Sequence, residues 1–213
     1  MEFEKEARES KDLNFGFADL KELSDNAVQT AMADKGVSVE YNSSYGNLSS
    51  EDVTIEGIAS ILQDVLRDAM YNCIDAGSKI IDVHFGRSCD LELILSDCKT
   101  LNNNQKDFIV NNGLFYIRIS DDAGKGKLPL IGPKEKPHKG ALPMTQYLMT
   151  GTVPEKYLTK TGDVNFTTKE GDKGGDGTSL LYEMLDFMEA KGFYDLTEQG
   201  TDLYLVFTKK GLL

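Results

Sequence analysis

Three short segments in fixed order constrain this chain more than any other feature: Asp68-Ala-Met-Tyr-Asn72-Cys-Ile-Asp75-Ala-Gly77, then Asp122-Ala-Gly124-Lys125-Gly126, then Gly174-Gly175-Asp-Gly177-Thr178. The first has the form of a helix end stopped by glycine, and the second of a strand running into a glycine turn. The third has the form of a glycine turn opening a helix. Read alone, each also suits a solvated helix face, an ordinary turn or a flexible loop. A fold that uses all three must bring two helix termini and one strand end to the same place.

The rest of the chain supplies suitable elements. Leu20, Leu23, Ala27, Ala31 and Met32 recur at helical spacing, which predicts a helix over 17–35 ended by Gly36. Val37, Val39 and Tyr41 alternate as in a strand. A long helix is expected over 54–76, with Ile58, Leu62, Val65, Ala69, Cys73 and Ala76 as its buried stripe. Ile81, Val83 and Phe85, then Leu91, Leu93 and Leu95, alternate in the manner of a β-hairpin. An asparagine-rich loop over 102–113 precedes a strand carrying Phe115, Ile117 and Ile119. A helix over 178–191, with Leu181, Met184, Leu185 and Met188 inward, leads to two closing strands near 193–196 and 203–208. Helices interspersed with largely antiparallel strands, without a βαβ rhythm, point to an α+β fold: a two-layer α/β sandwich with a mostly antiparallel mixed sheet. Residues 1–16 read as an N-terminal extension or linker stub, and 17–213 as one domain.

All five prolines fall within 125–177, where little periodicity is visible, so this stretch reads as a long lid. Between Lys125 and Lys139 stand five lysines and one acid, in a chain of net charge −12. That local excess attracts a polyanion. The overall charge argues against a broad nucleic-acid or anionic-membrane surface. No apolar run reaches the roughly 20 residues that a spanning helix needs. An odd set of cysteines without metal spacing suits reduced thiols, and a cytoplasmic setting is expected. Two histidines, His84 and His138, leave little basis for a hydrolytic triad or a zinc site.

The chemistry of the three segments is coherent. On the expected long helix, Asp64, Asp68, Asn72 and Asp75 lie on one flank. Asn72 offers an amide oxygen suited to Mg2+, and Asp68, a turn earlier, can accept or orient a proton. Asp122 at a strand end can accept a hydrogen bond from an adenine amino group, and Asp121 is a close rival for that role. Gly175, Gly177 and Thr178 supply a helix N-terminus for phosphate, with no Gly-x-x-x-x-Gly-Lys-Ser/Thr cradle present. Lys125, set between glycines, is the lysine expected nearest phosphate.

In this order the segments resemble the N, G1 and G2 boxes of the GHKL superfamily: gyrase, heat-shock chaperone, histidine-kinase and mismatch-repair ATPases. The likeness spans about residues 17–209 and is nearest to the histidine-kinase ATP-binding domain with its Bergerat fold. Asp19-Leu-Lys-Glu-Leu through Lys35-Gly-Val-Ser-Val-Glu resembles the opening helix and strand, and Gly200-Thr201-Asp-Leu-Tyr-Leu-Val-Phe the closing strand. The resemblance implies ATP and Mg2+ as ligands, Asn72 as metal ligand, Asp68 at the general-base position, and Asp122, Gly124 and Gly126 around the base. It further implies that Asp75, Lys125, Gly175, Gly177, Thr178 and Thr201 help to hold the nucleotide.

The function so implied is transfer of the γ-phosphoryl group to a histidine on a partner or on a missing segment, such as a histidine-bearing dimerisation domain. A homodimer is compatible with it, and neither nucleic acid nor membrane insertion is expected. Two alternatives stand beside it. One is a gyrase- or chaperone-like ATPase that uses hydrolysis for conformational change. The other is a non-catalytic nucleotide-binding or protein-interaction module.

Overall fold

The structure, a computed structural model, describes residues 13–46, 54–57, 59–123, 130–131, 138–139, 141–153, 155, 166–167, 176–197 and 199–208. It opens with strand β1 (Leu13–Gly16), helix α1 (Phe17–Lys35), strands β2 (Glu40–Ser44) and β3 (Thr54–Gly57), and helix α2 (Ala59–Ala76). Strand β4 (Ile80–Arg87), helices α3 (Leu91–Asp97) and α4 (Asn103–Asn112), and strand β5 (Gly113–Asp121) follow. Short strands β6 (Leu130–Ile131), β7 (His138–Lys139) and β8 (Phe166–Thr167) accompany helix α5 (Ala141–Thr150). Helix α6 (Asp176–Phe187) and strands β9 (Ala190–Leu196) and β10 (Thr201–Thr208) close the domain.

The main sheet has five strands in the order β2-β4-β5-β10-β9. β2 runs parallel to β4, and the other neighbours are antiparallel. One face carries Ile81, Val83 and Phe85, then Ile117 and Ile119, then Leu203 and Leu205, all buried. Helices α1, α2 and α6 cover it with Leu20, Val28, Leu62, Leu66, Met70, Met184 and Leu185. Each such side chain contributes about 1.5–3 kcal/mol by leaving water. The expected α/β sandwich is therefore present. Both glycine stops hold: Gly36 and Gly77 take φ of +62° and +89°, a region that costs other residues strain.

Several expected elements differ. Residues 54–57 are not the start of the long helix but a strand paired with β1, so α2 begins at Ala59. Ile58 lies outside the described residues. The second strand sits at 40–44 rather than 37–41. The stretch with Leu91, Leu93 and Leu95 is helical, not half of a hairpin: Leu91 and Leu95 are buried one turn apart, while Leu93 is 81% exposed. The expected loop over 102–113 is α4, started by a capping box in which Asn102 and Gln105 bond reciprocally at 3.0 Å.

The reason for both helices lies on the outer face of the sheet. Tyr116, Phe193, Tyr204 and Val206 are apolar or aromatic there, and Leu91, Leu95, Leu101 and Ile109 cover them in a second core. Phe193 stacks on Tyr204 with ring centroids 4.6 Å apart. The expected lid also contains a packed element. In α5, Met144, Thr145, Tyr147, Leu148 and Met149 are all buried, and Tyr147 packs on Tyr182 of α6.

Candidate nucleotide site

The site starts from α2, whose buried stripe turns Asp64, Asp68, Asn72 and Asp75 away from the core. Asp64 pairs with Arg67 at 2.8 Å and Asp75 with Lys35 of α1 at 2.6 Å. Asp34 of α1 accepts a hydrogen bond from the Tyr71 hydroxyl, so two polar links tie α1 to this end of α2. Asp68 makes no ion pair among the described residues. Burial raises its pKa above the ordinary carboxylate value, Arg67 opposes this and Asp64 reinforces it. Asn72 is exposed one turn further on, directly before the buried Cys73.

The two adjacent acids at the end of β5 have different surroundings. Asp122 is exposed, and its Oδ1 accepts from the backbone N–H of Lys79 at 2.7 Å and of Ile80 at 3.0 Å. Those amides hold its pKa below the ordinary value, Ile80 foremost. Asp122 thus caps the junction where β4 begins beside the end of β5. Asp121 pairs across the sheet with Ile81 and shares the helix-facing side with Ile117 and Ile119. Its Oδ1 accepts from Ala123 N at 2.8 Å, and the Thr201 amide also bonds to its carboxylate. Burial is the main cause of its raised pKa.

Asp121 and Cys73 lie within electrostatic reach, the carboxylate adding to the effect of burial in pushing the thiol pKa up. The end of β5 and the start of β10 therefore meet, with Cys73 of α2 on the same buried side. Gly200 is part of that closeness, since a Cβ there would fall 1.9 Å from the Asp121 carbonyl oxygen. Tyr194 of β9 is buried on the same side of the sheet, and burial, with smaller contributions from Cys73 and Asp121, raises its phenol pKa. Nothing in the sequence singled out Tyr194, because its only local signal is membership of a strand.

The remaining expected residues divide into two groups. Gly124, Lys125, Gly126 and Gly175 lie outside the described residues. Gly177 and Thr178 fall in the first turn of α6, which begins at Asp176 rather than Thr178. The free N–H groups of a helix's first turn are there in either register. Among the described residues no group of three or more His, Cys, Asp or Glu is arranged to hold a metal, and no helix is long and apolar enough to cross a membrane.

No protein-family model and no curated protein matches the chain. Solved structures do. The ATP-binding domain of PrrB from Mycobacterium tuberculosis superposes with a TM-score of 0.50 at 10% identity, over 95% of this chain and 100% of that one. The catalytic domain of the histidine kinase ThkA, in a nucleotide-free form, gives a TM-score of 0.49 at 12% identity, over 94% and 98% of the two chains. The mycobacterial sensor histidine kinase MprB gives 0.49 at 10% identity, over 93% and 97%. With its helix-covered five-stranded sheet, the chain has the fold of histidine-kinase ATP-binding domains, the GHKL fold.

Proposed function

We propose that the chain is a Mg-ATP-binding domain of histidine-kinase type, which hands the γ-phosphoryl group to a histidine on another protein or another segment. The observation that carries this reading is the meeting of Asp121 and Thr201 at one end of a sheet, in a chain with the fold of an ATP-binding domain. Asp121 accepts the amino group of adenine, and Asp122 serves the β4–β5 junction instead. The setting proposed is the cytoplasm, where ATP is supplied.

The donor chemistry fits magnesium. One amide oxygen from Asn72 is a hard ligand that leaves the other positions to phosphate oxygens and water. Bound Mg·ATP supplies the phosphoryl group and offsets its charge, so the protein's work is positioning. With Asp64 and Asp75 already paired, an approaching triphosphate meets chiefly the Asp68 carboxylate on this flank. Its raised proton affinity suits Asp68 to take a proton or orient the attacking group. The first-turn amides of α6 at Gly177 and Thr178 face phosphate. Gly124, Lys125, Gly126 and Gly175 belong to the reading from the sequence alone.

Magnesium-dependent ATP titrations of the wild type, Asp121→Asn, Asp122→Asn and Asn72→Ala test the pocket. Asp121→Asn is expected to lose at least about tenfold in affinity, since an amide presents its own donors to the adenine amino group. Undiminished binding by that variant would sink the base contact. γ-Labelled ATP then separates the activities. Label on an added histidine-bearing acceptor supports the kinase reading, and free phosphate without acceptor supports the ATPase alternative. Binding with neither product supports the non-catalytic module.

A further inference from the structure

We infer that Asp34 and Lys35, which end α1, are positioning residues for Asn72: they hold the last turns of α2 so that its amide keeps one direction. The inference rests on the nucleotide-site reading and adds to it a helix end outside the three segments that define the site.

α1 and α2 finish beside each other and in the same manner. At the end of α1 the Gly36 N–H donates to the Ala33 carbonyl at 3.1 Å and the Val37 N–H to that of Met32 at 3.1 Å. At the end of α2 the Gly77 N–H donates to the Ile74 carbonyl at 2.9 Å and the Ser78 N–H to that of Cys73 at 3.1 Å. Each closure turns on a glycine of positive φ. The strands that follow pair in parallel from Glu40 and Ile80, and the Glu40 N–H donates to the Lys79 carbonyl at 2.8 Å. Two negative helix ends therefore lie close together, with Asp34 and Asp75 adding to their charge. Lys35, in the last turn of α1, is the cation that offsets them.

Lys35 also meets residues on both sides of Asn72. Its Nζ pairs with Asp75 at 2.6 Å and stands 5.3 Å from the centroid of the Tyr71 ring. The Tyr71 hydroxyl donates to Asp34. Tyr71 and Asp75 are spaced as i and i+4, so they lie one above the other on a single face of α2, the face held by α1. Fixing that face fixes the rotation of the last turns. Asn72, exposed and about 100° round the helix from Tyr71, is aimed by that rotation. An exposed ion pair adds little to stability, so the contacts act chiefly on direction. Direction is what a single amide ligand needs, because its supporting residues set how it meets a metal.

The test separates the metal contact from the base contact. ATP binding is titrated with Mg2+, and adenosine, which has no phosphate to share with a metal, reports on the base alone. The Mg2+ concentration for half-maximal ATP binding is expected to rise about threefold in Lys35→Gln and to move the same way in Tyr71→Phe, with adenosine affinity unchanged. Lys35→Arg, which keeps the cation, should restore the wild-type midpoint. A merely structural role would lower the melting temperature and leave the midpoint alone. A wild-type midpoint in folded Lys35→Gln and Tyr71→Phe, beside a raised one in Asn72→Ala, overturns the inference and leaves the nucleotide site standing. Weaker ATP binding at saturating Mg2+ with an unmoved midpoint overturns it too, since Lys35 would then touch phosphate directly. An unmoved midpoint in Asn72→Ala overturns both the inference and the metal ligand on which it rests.

Discussion

Asp121 and Asp122 are neighbours in the chain, yet one carboxylate faces the helical layer opposite Ile81 and the other is exposed on the amides of Lys79 and Ile80. Removing each acid therefore has a different consequence. Asp122→Ala leaves two backbone donors without their carboxylate and is expected to cost about 1 kcal/mol of stability, with ATP affinity unchanged. Asp122→Asn keeps an acceptor oxygen and should cost less. Thermal melts beside calorimetric ATP titrations check both. Weakened nucleotide binding in a folded Asp122→Ala would reverse the roles given to the two acids.

Acidification should act on binding and on stability in opposite directions through Asp121. Its pKa in the folded chain is raised by burial, so between the unfolded value and the folded one the native state holds more protons. Its contribution to stability therefore improves as pH falls through the folded pKa. Asp68 and Asp202 are raised by burial too and act with the same sign. On the proposed base contact, ATP affinity needs the Asp121 carboxylate ionised and should decline over that window. In Asp121→Asn the stability gain over wild type should be largest near neutral pH and shrink on acidification. A gain independent of pH in paired melting curves would contradict the assignment.

Helical spacing in α3 predicts unequal costs for two leucines two residues apart. Leu91→Ala removes a fully buried side chain from the outer core and should cost about 2–4 kcal/mol. Leu93, 81% exposed, should tolerate alanine within about 0.5 kcal/mol. Urea melts of the two variants decide this, and equal costs would favour the alternating pattern of a strand.

The three cysteines should separate cleanly under brief alkylation. Cys89 is exposed, whereas Cys73 and Cys98 are buried. Burial, with Asp121 adding to it, also holds the Cys73 thiol in its unreactive protonated form. Mass spectrometry of the native protein should show one fast modification, at Cys89, and the other two only after denaturation. Early labelling of Cys73 would mean that the packing of α2 against the sheet opens readily.

Local pattern alone determined much of this domain. The buried stripes and glycine stops of α1 and α2 are written at helical spacing, and so is the stripe of α6 with Leu181, Met184 and Leu185. The alternation of Phe115, Ile117 and Ile119 specifies β5, because one face of that strand meets the helices. Pairing across the chain decided the rest. Thr54–Gly57 is a strand because β1 lies beside it, and α3 is a helix because Tyr116, Phe193 and Tyr204 need cover on the outer face. Which of two consecutive aspartates faces the helical layer follows from the register of β5 against β4 and β10. That register joins residues from 28 to 95 positions apart, a distance over which periodicity carries no information.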